Sequence, residues 1–331
     1  MVQKEDMPKK ETKKFDVWKL LNILSPILSL FIITVAVLFI REILQQHSLD
    51  SILEHLKSIP THKISFAIVV TLITYLILSV YDFLAVRYLN LAVSKWKVGL
   101  ISFVSFAFGN AIGMANLASS SVRLRMYPFV GIHQRDVLKI IIFCSLSYWL
   151  GFFTLAGSIM AFEPLDLLEK YKLSAGVIRG TGVGFLVVCL TYLFFCLRHH
   201  KPFTIKGQQI VFPAFSFSLT QILVAALDWG LAGFALYILL PSQIEVSFFY
   251  FLQIYLTAQV VAVLAHVPGG IGVLEAMIIY FLDPEKKFSG ELLACFIAYR
   301  SVMYLLPLSL ASSFFLLFEI YNKKAKIRPV T

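Results

Sequence analysis

The stretch His266-Val267-Pro268-Gly269-Gly270-Ile271-Gly272-Val273-Leu274-Glu275 separates two hydrophobic segments, 247–266 and 271–282. It places a proline, three glycines and a carboxylate at membrane depth. Lipid offers no water to a broken backbone, so such a break survives only where protein or a wet cavity covers it. Apolar segments interrupted by Gly and Pro are also the best sequence pointer to a substrate site in a transporter. A tight turn between two ordinary spans, with glycines for close packing, is the competing reading.

The chain around this break has 331 residues, is 59% hydrophobic and has a mean hydropathy of +0.81. Soluble domains are about half apolar at most, so the composition defines a polytopic membrane protein. A soluble domain needs roughly 100 polar-patterned residues in one block, and no such block occurs. The net charge of +10 does not imply a nucleic-acid partner, because the basic residues form short clusters between apolar segments. Cys144, Cys189, Cys196 and Cys295 all fall inside apolar segments and read as reduced. The apolar run after Lys19 is too long for a signal peptide and has no A-x-A site after it, so it reads as an uncleaved first span.

Full spans are expected at about 19–40, 64–86, 137–161, 176–197, 214–240 and 289–320. Residues 1–18 form a charged cytoplasmic tail, 19–321 the membrane domain and 322–331 a basic tail. A surface helix is expected near Leu49–Leu56. The run 98–121 is apolar, then broken by Gly109, Asn110 and Gly113, then rich in small polar residues. Each half is about 11 residues, or about 16 Å as helix, which is half a bilayer. It reads as a re-entrant hairpin with Gly109-Asn110 near its tip; one kinked span is the alternative. Charge counting arbitrates. With two hairpins entering from opposite sides, inside segments carry 20 Lys/Arg and outside segments 8, with Arg300 as the remaining one of 29. That bias favours two opposed hairpins with both termini inside. The expected fold class is therefore all-α polytopic, with about six full spans and two opposed re-entrant helical hairpins.

Charges in a helix centre cost about 2.5–3.5 kcal/mol each on insertion scales and are functional candidates by default. Asp82, Asp228, Glu275 and Arg300 are such charges. Asp82 lies near the end of its span, where it either reaches water or serves a site. Arg300, followed one turn later by Tyr304, is a natural partner for Glu275, for Asp228 or for a lipid phosphate. The alternative is that these charges only pair to hold the bundle. Arg123 and Arg125 diverge if the segment is helical and point one way if it is extended. They suit bidentate capture of a phosphate or plain anchoring at the surface. Gly269 and Gly270 precede a helix whose first N–H groups are candidates for holding an anion. His266 is alone. Neither H-E-x-x-H nor G-x-S-x-G occurs, nor a nucleotide-binding G-x-x-x-x-G-K-[ST]. No metal or cofactor is expected.

These residues carry a resemblance. Tyr81-Asp82-Phe83-Leu84-Ala85-Val86-Arg87-Tyr88, Asn110 with Gly113, Ser121-Val122-Arg123-Leu124-Arg125-Met126-Tyr127 with Gly131, Pro268-Gly269-Gly270-Ile271-Gly272-Val273-Leu274-Glu275, and Tyr299-Arg300 with Tyr304 and Pro307 resemble one family. It is the transmembrane (flippase) region of the lysylphosphatidylglycerol synthetase/flippases, the bacterial multiple peptide resistance factors. PGGIGVLE is the most specific match. The resemblance implies movement of a phospholipid between leaflets of the bacterial inner membrane, by a stand-alone member without the aminoacyltransferase domain. It implies a cavity between the hairpins, with Asn110, Arg123, Arg125, Tyr127, Asp228, Gly269, Gly270, Glu275, Arg300 and Tyr304 as substrate-binding residues. The three arginines would contact phosphate, and Glu275 and Asp228 a cationic headgroup or the gate. Expected partners are membrane lipids and the headgroup; a lipid-synthesis enzyme and a second copy of the chain remain open. A non-catalytic accessory protein of lipid or envelope-glycan synthesis is the second reading. An intramembrane enzyme is the third, and it lacks a nucleophile or metal constellation.

Overall fold

The computed structural model describes residues 49–112, 115–162, 175–198, 203–205, 208–210, 212–265 and 267–325, with Leu38 and Arg41 singly. Apart from Leu38, the expected first span over 19–40 lies outside the described residues, as do His266, the N-terminal tail and the C-terminal tail beyond residue 325.

Five helices are long and apolar enough to cross a membrane: α2 (Thr61–Tyr88), α5 (Gln134–Phe162), α6 (Ala175–Arg198), α7 (Phe215–Leu239) and the continuous run Ser289–Lys324. Their 24 to 36 residues are about 36–54 Å of helix, more than the roughly 30 Å of hydrocarbon. The last run is composite, with α10 (Ser289–Arg300), a π-helical segment (Ser301–Leu305) and α11 (Leu306–Ala325). The backbone of each satisfies itself by intrahelical bonds, the one way a single segment can cross lipid. Large apolar side chains such as Leu76, Ile142, Leu190 and Leu317 are exposed on their outer faces, where acyl chains would cover them. The helix expected near 49–56 is α1 (Leu49–Ser58). It is more than a surface helix, since it packs on α10 and buries Ile52.

Four shorter helices make the two hairpins. In the first, α3 (Lys95–Ile112) and α4 (Ala115–Met126) pack along each other; in the second, α8 (Phe248–Leu264) and α9 (Val273–Leu282) do so. The first break lies further along the chain than the expected tip, because Gly109 and Asn110 fall in the last turn of α3. One weak Gly-Asn step costs a helix only about 1 kcal/mol. The helix there is held by packing on α2 and α11, with Val104 and Ala107 fully buried. The two halves are therefore 18 and 12 residues rather than equal.

Two large apolar clusters dominate the interior. One apolar cluster surrounds the first hairpin and includes Tyr81, Val104, Met126 and Ile140. The other surrounds the second and includes Leu236, Phe251, Ile278 and Phe296. Helices α2, α5 and α7 pack on one another and join the halves. The basic loop after α6 also holds a short antiparallel pair, β1 (Phe203–Ile205) with β2 (Gln208–Ile210), in which Phe203 pairs with Ile210; the fold class remains all-α.

Helix α6 docks on α5 through small residues. A Cβ on Gly182 would stand 2.8 Å from the Gly157 carbonyl oxygen and 2.7 Å from the Ala161 nitrogen. Small residues permit such close approach in membranes. Gly182→Leu is expected to push α6 off α5 and cost about 1–3 kcal/mol, as overpacking does. Thermal unfolding of the purified protein reads this as a lowered Tm. An unchanged Tm would mean that α6 moves aside freely.

Candidate functional site

The two hairpins meet over a cavity of about 400 Å³. Gly109, Asn110, Ser119, Ser120 and Arg123 line it from the first hairpin, and Gln259, Ala262, Gly269 and Gly270 from the second. The turn Pro268–Gly270 also packs on α3. Two buried ion pairs hold the hairpins to the long helices.

The first pair joins α2 to α4. Arg123 Nε donates to Asp82 Oδ1 at 2.9 Å and Nη2 to Oδ2 at 2.7 Å. Such a two-pronged geometry suits a planar guanidinium. Tyr127 donates to Asp82 Oδ1 at 2.8 Å and Ser102 to Oδ2 at 2.8 Å, so the carboxylate accepts from every side. The guanidinium lies 4.6 Å from the Phe106 ring centroid. Asp82 is fully buried and Arg123 2% exposed. The position of Asp82 near a span end left open a route to water, but the closing of α4 over it removes that route.

The second pair joins α9 to the end of α10. Arg300 Nε donates to Glu275 Oε1 at 2.5 Å, and its Nη1 to the Gly269 carbonyl at 3.1 Å. The other carboxylate oxygen accepts from the Gly272 N–H at 2.8 Å. Gly269, Gly270 and Gly272 all have positive φ, at 66°, 60° and 82°. That region disfavours any residue with a Cβ, which is why the break needs these glycines. The N-terminus of α9, expected to be open to an anion, thus already holds the protein's own carboxylate.

The π segment follows Arg300 directly, and proline explains it. Pro307 has no N–H to donate to the Met303 carbonyl four residues back. The Tyr75 hydroxyl donates to that carbonyl instead, at 3.2 Å, and the Leu306 N–H reaches back five residues to Ser301. Such bulges recur at functional sites. Here Tyr304 lines the cavity with its ring 5.6 Å from the Arg300 guanidinium.

The two clamps mirror each other with their charges exchanged. In one, a long helix supplies the carboxylate and a hairpin the arginine; in the other the roles are reversed. That exchange accords with an inverted pair of halves.

Of the ten residues expected to bind substrate, Asn110, Arg123, Asp228, Gly269, Gly270 and Tyr304 line one cavity. Glu275 and Arg300 stand behind its glycine wall. Arg300 pairs with Glu275, not with Asp228 or an open phosphate site. Tyr127 is fully buried on Asp82 and acts as a support. Arg125 diverges from Arg123, because the segment is helical. It makes a two-pronged pair with Glu319 at 2.6 and 2.7 Å on the exposed side, so the two arginines do not form one phosphate clamp. Asp228 is 6% exposed and accepts from Tyr81 at 3.0 Å. Sequence reasoning missed Tyr81, Ser102, Tyr148, Trp149, Trp229 and Tyr255. Their signal was hydroxyl and indole groups inside apolar spans, which need partners. No cluster of three or more metal-ligating side chains occurs among the described residues.

Fold and cavity together define a polytopic membrane protein of the all-α class built on two helical hairpins. No protein-family model matches the chain. It is 34% identical over 299 residues to the uncharacterized protein slr0712 of Synechocystis sp., covering 90% of this chain and 92% of that one. It is 32% identical over 263 residues to the inner membrane protein YbhN of Escherichia coli, covering 79% and 82%. The chain belongs to the family of YbhN-type inner membrane proteins. A more distant relative is the phosphatidylglycerol lysyltransferase of Staphylococcus aureus, 23% identical over 239 residues, which are 71% of this chain and 27% of the enzyme.

Proposed function

We propose that this protein moves phospholipids between the leaflets of the bacterial inner membrane, with the headgroup passing through the cavity while the acyl chains stay in lipid. The charge bias of the loops supports a cytoplasmic position for both termini. The observation that carries this reading is the cavity itself, mainly apolar but holding Asn110, Arg123, Asp228 and Gln259, enclosed among the apolar helices and walled on one side by the Gly269-Gly270 break. Irregular backbone at that depth is tolerated where it lines a cavity. The distant likeness to a lysyltransferase that acts on phosphatidylglycerol supports a lipid as the cargo.

The test is reconstitution. The purified protein in vesicles, with trace acyl-labelled phospholipids, is expected to exchange label between leaflets faster than protein-free vesicles do. Dithionite, which bleaches only the outer leaflet, reads the exchange. Absence of movement for every phospholipid, with and without a proton gradient, would overturn the reading.

A further inference from the structure

The charge balance of the cavity, on the reading that it carries a lipid headgroup, narrows what that headgroup is. Among the described residues lining the cavity, Asp228 is the one carboxylate and Arg123 the one cation. They are not equivalent. Arg123 is already neutralised by the two-pronged pair with Asp82. Asp228 receives a hydrogen bond from Tyr81, and no cationic side chain pairs with it among the described residues. A buried carboxylate without a cation is costly at this depth. The wall therefore presents an uncompensated acceptor.

The cavity that Asp228 lines is rich in aromatic residues. Tyr148, Trp149, Trp229, Tyr255 and Tyr304 line the same cavity. The Tyr148 and Trp229 rings lie 4.7 Å apart and those of Tyr148 and Trp149 5.8 Å apart. The indole N–H of Trp229 donates to the Tyr148 carbonyl at 3.1 Å, which fixes that ring against Tyr148. Ring faces attract ammonium groups, and more strongly once water is excluded. A carboxylate and several aromatic rings lining one cavity thus favour a cation over an anion.

The same cavity also carries groups of a different chemistry. Arg123 reaches the wall with two of its three guanidinium nitrogens on Asp82, and Asn110, Ser119 and Ser120 line the cavity beside it. These groups suit phosphate oxygens. We propose that the cavity selects a zwitterionic headgroup with a single ammonium. The ammonium sits at Asp228 among Tyr148, Trp149 and Trp229, and the phosphate lies toward Arg123 and Asn110. One uncompensated carboxylate matches one ammonium. Headgroups with phosphate alone leave Asp228 unpaired.

The experiment uses the full chain in phosphatidylglycerol vesicles with trace acyl-labelled phosphatidylethanolamine or phosphatidylglycerol. Phosphatidylethanolamine is expected to exchange about tenfold faster, the scale of one desolvated cation–π and carboxylate contact. In Asp228→Asn, checked for folding by its elution as a single species, that rate is expected to fall to the phosphatidylglycerol rate. A second readout does not need transport. Tryptophan fluorescence is expected to titrate with soluble glycerophosphoethanolamine and not with glycerophosphoglycerol, and the response to be lost in Asp228→Asn. Titration without movement of any lipid would sink the translocase reading and leave the recognition standing. Equal or faster exchange of phosphatidylglycerol, or no response to glycerophosphoethanolamine, would overturn the proposal. So would free ethanolamine binding as tightly as glycerophosphoethanolamine, since the phosphate would then not be read. If Asp228→Asn does not fold, the wild-type comparison of the two headgroups decides.

Discussion

Replacing Asp82 by Asn is expected to destabilise the protein by about 3–5 kcal/mol, the cost of leaving a buried charge without its partner. Asp82 accepts from Arg123, Tyr127 and Ser102 at 2.7 to 2.9 Å, and an amide cannot accept from all of them at both atoms. Arg123 would remain 2% exposed with no counter-charge, and α4 would lose its main polar tie to α2. Arg123→Met alone should cost a similar amount, because the carboxylate is then stranded. The double variant should be more stable than either single one, since neutral side chains of similar volume avoid the desolvation that both charges incur. Thermal unfolding of the four purified proteins checks this as a double-mutant cycle. Singles as stable as wild type would mean that water reaches the pair and that α4 does not close over it.

Glu275→Gln is the second large effect, and it acts on the other hairpin. The carboxylate holds three things together: the Arg300 guanidinium at 2.5 Å, the Gly272 N–H at 2.8 Å and, through Arg300, the Gly269 carbonyl. The glycines of this turn sit at positive φ, so a persistent set of bonds must select one conformation from the many that glycine allows. Neutralising Glu275 leaves Arg300 partly buried and unpaired. Headgroup exchange is expected to fall by about a hundredfold, the rate equivalent of about 2.7 kcal/mol at 1.36 kcal/mol per decade. Arg300→Ala should match it. Glu275→Asp, which keeps the charge with a shorter arm, should recover part of the rate. Full activity in a folded Glu275→Gln protein would show that the turn does not need its clamp.

Two roles look alike in sequence. Asp82, Glu275, Asp228 and Arg300 are all charges in apolar segments, and the cost of burying a charge marks each of them. Sequence reasoning left open whether they act on a substrate or hold the bundle. Tertiary structure divides them. Asp82 with Arg123 and Glu275 with Arg300 are clamps, while Asp228 faces the cavity without a cation. The nearest competitor for Arg300 was Asp228, and only the packing of α9 against α10 decided for Glu275.

What sequence by itself determined is the part governed by local rules. Hydropathy over some twenty residues marks a span because each helix satisfies its own backbone. Pro268 with Gly269, Gly270 and Gly272 marks a break because those residues alone set the available dihedrals. Two hairpins followed from segment length and from the counting of loop charges. Local rules were weaker at Gly109-Asn110, where neighbouring helices kept α3 intact for one more turn. They were silent on the partners. Arg123 and Asp82 are 41 residues apart, Arg300 and Glu275 25, and Tyr81 and Asp228 147. At those separations a hydrogen bond depends on which helices pack side by side, to within a fraction of a helical turn. Only the folded arrangement of α2, α4, α7, α9 and α10 contains that information. It decided which charges are silenced in pairs and which one faces the cavity.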